Sequence, residues 1–342
     1  MIFAPRIGLV SKPSSDRFSE RIVPLGGGIA IFGTLAIVIL AATAFVKFFA
    51  SPGRADWLGE SVLIHTEGFL RQIPRLMIIL SLIFILFLLG LWDDKKHLGP
   101  FFKLGVQFMV AVAAAFFADV RVEFFIDNKI ITSLLSAIWI VLMINAFNFL
   151  DNMDGLSAGI AVITSSILFT AAALNGQVFI GGLALIFIGT LLGFLVFNFP
   201  PAKIFMGDAG SLVIGFFIAL LSLRTTYYNE ALSGRWYPVF MPLIVMAVPL
   251  YDFISVTMLR ICQGKSPFVG DTQHFSHRIR KHGFSDMQTV MILYLATLCT
   301  GLSAVFLYQV NLAGAILIFI QTVMILSIIA VFETTAINDK TT

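Results

Sequence analysis

Ten apolar runs, each close to the length that crosses a bilayer, follow one another along the chain and leave little choice of fold. They cover residues 27–49, 75–91, 102–118, 132–149, 156–174, 177–198, 209–223, 239–260, 288–307 and 312–332, the seventh being the shortest. In hydrocarbon every backbone amide must find its partner within the chain, so such runs fold as helices. The expected class is therefore all-α, a polytopic membrane protein with about ten transmembrane helices. Only 12% of the residues are charged and mean hydropathy is +0.96, whereas a soluble domain carries about 25% charged residues. Residues 1–26 are basic and lack the apolar core of a cleavable signal, so export rests on the spans themselves.

Ten crossings divide the loops between two faces. One face receives residues 1–26, 92–101, 150–155, 199–208, 261–287 and the C-terminal tail, with 14 of the 22 Lys and Arg. The positive-inside rule makes that face cytoplasmic. The net charge of +3 is too small to argue for nucleic acid, and no aromatic-basic platform accompanies it. Cys262 and Cys299 fall in different segments and are expected to be free thiols. On the opposite face, the loop 50–74 suggests a short interfacial helix and residues 120–129 a small hairpin around Asp127-Asn128. No repeat or linker is visible, so residues 1–342 form a single domain, with 261–287 as its long cytoplasmic loop.

Against this background one segment is anomalous. Asn145-Ala-Phe-Asn148-Phe-Leu-Asp151-Asn152-Met-Asp154-Gly155 gathers polar side chains where one apolar run ends and the next begins. Carboxylates in lipid-bounded chains are costly and sit mainly where they face a cavity, an ion or a substrate.

Four further features share its face. Trp92-Asp93-Asp94-Lys95-Lys96 follows the second span, with Lys103 nine residues after Asp94. Adjacent carboxylates there serve as a base, hold a divalent ion, or simply flank a span. Asn198-Phe-Pro200-Pro201-Ala-Lys203-Ile-Phe-Met-Gly207-Asp208-Ala-Gly210-Ser211 ends one helix and starts another. Asp208 there is either an N-cap or part of an ion site at the positive helix end. Three of the five His fall in His274-Phe-Ser276-His277-Arg278-Ile-Arg280-Lys281-His282, where the bases suit a pyrophosphate and Arg278 offers a bidentate fork. A zinc site lacks its remaining ligands. Pro24-Leu-Gly26-Gly27-Gly28 forms a backbone turn at the mouth of the first span.

Together these groups ask for an anionic substrate and a hard divalent cation. Asn and Asp without Cys suit Mg²⁺, with Mn²⁺ as its substitute. Phosphoryl transfer, which needs alignment and charge neutralisation above all, fits that set of side chains.

The motifs also resemble those of a family. Asp93-Asp94, the segment from Asn145 to Leu156, Asn198 through Ser211, and His274-Phe-Ser-His277-Arg278 follow the order and spacing of the polyprenyl-phosphate N-acetylhexosamine-1-phosphate transferases, glycosyltransferase family 4. The likeness covers nearly the whole chain and extends to Pro249, Asp252, Arg260, Gly264, Ser266-Pro267-Phe268 and Asp271. It implies attack by undecaprenyl phosphate on the sugar-linked phosphorus of a UDP-N-acetylhexosamine, with release of UMP, at the inner face of a bacterial cytoplasmic membrane. It implies roles residue by residue as well. Asn148 and Asp208 would hold Mg²⁺; Asp93 would position the lipid phosphate or act as base, with Asp94 and Lys103 beside it. Asp151, Asp154 and Asn198 would recognise the nucleotide and order the site, while His274, His277 and Arg278 would grip the diphosphate.

Three departures from the family pattern stand out. Ser276 occupies the place of a further His. In the N-terminal loop a His is replaced near Ser19, and an Asp expected before Pro13 is absent. The family usually has eleven spans, one of them ahead of the Gly turn, whereas this sequence starts at Met1-Ile-Phe-Ala-Pro5 close to that turn, so either the start is truncated or this member works with ten spans. The branch that moves phospho-N-acetylmuramoyl-pentapeptide has a threonine-rich Gly loop and a denser His cluster, so the N-acetylglucosamine branch is the better match. A transporter of lipid-linked sugars would put charges at midplane and show paired repeats. A homodimer is compatible with the sequence and not required by it.

Overall fold

A computed structural model describes residues 10–11, 23–49, 60–122, 126–227, 235–266, 274–280 and 282–338, with backbone alone at 10, 11, 60–62, 277 and 333–338. Among these the protein is all-helical apart from a two-residue antiparallel pair, β1 (Val10–Ser11) with β2 (Val23–Pro24). The helices run α1 (Gly27–Phe48), α2 (Glu60–Lys96), α3 (Pro100–Phe117), α4 (Lys129–Leu150), α5 (Leu156–Leu174), α6 (Val178–Asn198) and α7 (Asp208–Arg224). They continue with α8 (Met241–Val245), α9 (Ala247–Cys262), α10 (Phe275–Arg280), α11 (Asp286–Val305) and α12 (Leu312–Asn338).

Local chemistry sets several boundaries. Asn128 caps α4 by accepting from the amides of Ile130 and Ile131, and Ser285 with Gln288 forms a reciprocal capping box on α11. Pro100 opens α3, where its missing N–H costs nothing. The helix expected to start near residue 75 instead begins at Glu60 and runs through Pro74, taking up part of the loop read as an interfacial helix. The hairpin expected at 120–129 is absent from the described residues there: Arg121 and Val122 bond the side chains of Thr132 and Ser136 on α4.

The expected ten spans require correction. Among the described residues eight helices are long and apolar enough to cross a membrane, or nine if a bent pair is counted as one span. The bent pair is the eighth expected span, which a break at Met246 divides into Tyr237–Val245 and Ala247–Cys262 at 64°. The other discrepancy is α7, which at 17 residues is about 25 Å long and falls short of a hydrocarbon core of about 30 Å. This helix is shielded by protein: residues 209–222 are all buried, and α1, α2, α4 and α5 pack around it. Gly215 allows α4 to approach closely, since a Cβ there would lie 2.5 Å from Ile144 Cα. α7 is thus the axis of the bundle, and its N-terminus lies where the chemistry-bearing motifs converge.

Candidate active site

α2 ends in two carboxylates with different surroundings. Asp93 is buried; its Oδ1 accepts from the Leu98 amide at 2.6 Å and its Oδ2 from Lys103 Nζ at 2.7 Å. The same ammonium donates to Asp208 Oδ2 at 3.1 Å. Asp208 Oδ1 accepts from Asn148 Nδ2 at 3.1 Å, and that amide also donates to Ser211 Oγ at 2.8 Å. Residues from α2, α3, α4 and α7 therefore meet in one network in which two carboxylates share a single ammonium. The side chains of Asp208 and Lys103 are each 23% exposed, so the network opens to the surface.

Asp94 turns the other way. Its Oδ1 and Oδ2 accept from the backbone amides of Asp208 and Ala209 at 2.8 and 3.2 Å. It caps α7 from another helix, placing a negative charge on the free N–H groups of that end. Gly207 makes the approach possible: its φ is 68°, and a Cβ there would stand 2.6 Å from Asp94 Oδ2. The Gly turn serves the same junction. Gly27 and Gly28 donate to the carbonyls of Phe205 and Met206, and a Cβ on Gly28 or on Gly90 would lie within 2.5 Å of the α7 backbone. Three helices meet there backbone to backbone, which fixes Asp208 opposite Asp93 and Lys103.

The segment between α4 and α5 is braced on every side. Gly155, at φ 74°, donates to Asn198 Oδ1 at 3.0 Å, and Asn198 Nδ2 donates to the Ile204 carbonyl at 2.9 Å. Asn198 is thereby buried between two loops, which supports ordering of the site more directly than contact with a nucleotide. Asp154 Oδ2 accepts from the Ala202 amide at 2.9 Å. Tyr294 of α11 donates its hydroxyl to the Gly155 carbonyl at 2.5 Å, packing so close that a Cβ on Gly159 would collide with it. Asp151 follows the end of α4, its amide bonded to the Asn148 carbonyl.

The His motif forms a neighbouring wall. Asp252, fully buried in α9, accepts from the Phe275 amide at 3.1 Å and faces His274 Nδ1 at 3.0 Å. This carboxylate thus ties α9 to the start of α10. Arg278 donates to Ser255 Oγ at 3.0 Å. Phe149 meets the His274 ring edge to face and lies under the Arg260 guanidinium, 5.0 Å from ring centroid to Cζ. Ser276, read as a lost donor, gives its hydroxyl to Asn152 Oδ1 at 2.6 Å and ties the motif to the α4–α5 loop. The side chain of His277, the N-terminal loop around Pro13 and Ser19, and Asp271 lie outside the described residues.

The expected residues therefore form two groups joined at the end of α4. Asn148 belongs to the carboxylate network and Phe149 to the His wall. Ser211 ends the Asn198–Ser211 motif without an assigned role, and Ser255 and Tyr294 escaped the sequence reading, because single hydroxyls in apolar helices carry no local signal. Among the described residues no three His, Cys, Asp or Glu side chains cluster as a metal cage. Cys262 and Cys299 are free, as expected.

Similarity to known proteins agrees with this arrangement. The sequence pattern of glycosyl transferase family 4 matches residues 76–226, which include the whole carboxylate network. The probable undecaprenyl-phosphate N-acetylglucosaminyl 1-phosphate transferase of Bacillus subtilis (strain 168) is 31% identical, over 98% of this chain and 87% of its own. The undecaprenyl-phosphate alpha-N-acetylglucosaminyl 1-phosphate transferase of Yersinia pestis is 26% identical, over 95% of this chain and 82% of its own. That of Escherichia coli (strain K12) is 25% identical, over 86% and 75%. A multi-pass helical protein, similar to these bacterial proteins over most of its length, the chain belongs to glycosyl transferase family 4.

Proposed function

We propose that this phosphoglycosyl transferase moves N-acetylglucosamine-1-phosphate from UDP-N-acetylglucosamine to undecaprenyl phosphate at the cytoplasmic face of a bacterial membrane. The observation that carries the proposal is the network of Asp93, Lys103, Asn148 and Asp208 around one surface opening. The names of the similar bacterial proteins supply undecaprenyl phosphate as acceptor and N-acetylglucosaminyl 1-phosphate as the group moved; the UDP carrier is what the resemblance of the motifs implies.

The reaction is a substitution at phosphorus. An oxygen of the lipid phosphate bonds to the sugar-linked phosphorus as the bond from that phosphorus to UMP breaks. A phosphate monoester is largely ionised at neutral pH and UMP leaves as an anion, so no proton has to move. What the protein supplies is position and charge. Lys103, held between two carboxylates, is placed to balance a phosphate, while Asp93 orients Lys103 and the approaching lipid headgroup. His274 and Arg278 would hold the diphosphate, and Asp151 and Asp154, on the loop between α4 and α5, would meet the nucleotide.

The residues also fit Mg²⁺. Two carboxylates share one ammonium, which leaves a negative charge; Asp208 offers hard oxygens, and Asn148, whose Nδ2 faces Asp208 Oδ1 here, would have to turn its amide over to present Oδ1. With so few protein ligands, substrate oxygens and water would complete the shell, as is usual for Mg²⁺ bound with phosphates. When bound, the ion would neutralise and align the diphosphate.

The test is release of UMP by the purified protein from UDP-N-acetylglucosamine and undecaprenyl phosphate. Release should require both substrates and stop when the divalent cation is chelated. Folded protein that releases no UMP from any UDP-N-acetylhexosamine would overturn the proposal. Release that survives complete chelation would remove the metal from it.

A further inference from the structure

At the opposite end of α7 from Asp208, about 25 Å along the helix, the bundle holds a second polar site that the reaction does not use. Asp119, which follows α3 with φ 57°, is surrounded by three guanidiniums. Arg121 Nε lies 2.7 Å from its Oδ1, and Arg75 and Arg224 lie 3.5 and 3.7 Å from its Oδ2. Arg224 also donates to the Asp119 carbonyl at 2.9 Å. Three positive charges meet one negative, so two remain uncompensated within this cluster of described residues. A positive excess on the face that the positive-inside rule leaves poor in Lys and Arg calls for a partner.

Beside the cluster is a cavity of about 500 Å³ lined by Arg121 and Arg224 on one side and by Trp139, Leu135, Phe240 and Leu243 on the other. Its volume is that of a small-molecule site. The polar wall is held in place. Gln177 bonds the Arg224 carbonyl and the Thr226 amide, Trp139 donates to Ser222 Oγ at 2.9 Å, and Arg121 reaches Thr132 Oγ1 at 3.2 Å. The apolar wall is open: Leu135, Phe240 and Leu243 are 42%, 36% and 44% exposed. Trp236, half-exposed next to Tyr237, is of the residue type that gathers at bilayer interfaces.

We propose that this cavity binds the phosphate headgroup of an anionic membrane lipid in the leaflet opposite the active site. The phosphate would sit against Arg121 and Arg224, and the upper acyl chain against Leu135, Phe240 and Leu243. A soluble anion would use the guanidiniums and leave the apolar wall unfilled. A zwitterionic lipid would bring a cation toward an already positive cluster. The combination of a charged wall with a laterally open apolar wall selects an anionic lipid over both.

Native mass spectrometry of the full-length protein in detergent tests this, with phosphatidylglycerol and phosphatidylcholine of equal chain length as probes. Phosphatidylglycerol should be retained preferentially. Arg121→Gln should weaken its retention about tenfold, the scale of one charge-assisted hydrogen bond. Leu243→Trp, which fills the apolar wall without changing charge, should weaken it as well, so the result does not depend on one variant folding. Arg71→Gln, an exposed member of a helical pair with Glu67 at the same end of the molecule, should leave retention unchanged. Equal retention of the two lipids, or indifference to both cavity variants, would overturn the proposal. So would displacement of phosphatidylglycerol by millimolar inorganic phosphate, which would mark the site as one for a soluble anion.

Discussion

Asp208 and Asp94 meet at the same helix end and do different work. Asp208 contributes its carboxylate to the network with Lys103 and Asn148, while its backbone N–H is held by Asp94. Asp208→Asn keeps that N–H, so the cap survives and the charge is lost. UMP release should fall at least about a hundredfold, the cost of removing one electrostatic anchor, while the melting temperature in detergent stays close to that of the parent. Asp94→Ala has a different signature: it uncaps α7 and should cost about 1 kcal/mol of stability, read as a lower melting temperature. The carboxylates were legible as a set because charge is rare in this chain, but the division of labour between Asp93 and Asp94 was not. Adjacent residues on a helix point about 100° apart, and only the neighbouring helix decides which of them finds an ammonium and which a helix end. Ser276 makes the same point, since a hydroxyl that reads as a missing His acquires its partner, Asn152, from a segment more than a hundred residues away.

At the scale of elements, the axis is α7, the shortest of the apolar runs. Its environment explains this: a helix surrounded by other helices needs neither full bilayer length nor a lipid-facing surface, only small residues where its neighbours cross. Gly90 and Gly28 are two such positions. Gly90→Ala would place a methyl group 2.4 Å from the Ala209 backbone and should destabilise the protein by about 1–3 kcal/mol. Gly105→Ala on α3 meets nothing within 4 Å and should be neutral or stabilising by up to about 1 kcal/mol. Thermal melting of the two variants side by side checks the contrast. The Gly turn at residues 26–28 could be seen in the sequence as a break in pattern. That its amides pair with Phe205 and Met206 could not, because the partner is supplied by a loop between two distant spans.

At the scale of the molecule, the motifs collect at one end of the bundle and the arginine cluster at the other. The two free cysteines report on that orientation. Cys262 ends α9 on the side of the His motif, and Cys299 lies within α11 with its side chain turned outward. A membrane-impermeant maleimide should label Cys262 in inside-out vesicles but not in intact cells, and should leave Cys299, which faces hydrocarbon, unlabelled in both. Labelling of Cys262 from outside the cell would invert the proposed topology. By itself the sequence determined that the chain is helical, that it lies in a membrane, and which polar residues stand out as candidates for chemistry: hydropathy is a local property, and a charge in an apolar run is conspicuous wherever it folds. Only the tertiary structure decided that α7 is an inner axis, that the eighth expected span is broken at Met246, and that Lys103 stands between Asp93 and Asp208. These depend on which helices touch and in what orientation, and such contacts, among them the one between Lys103 and Asp208 across 105 positions, leave no periodicity in a single chain to be read.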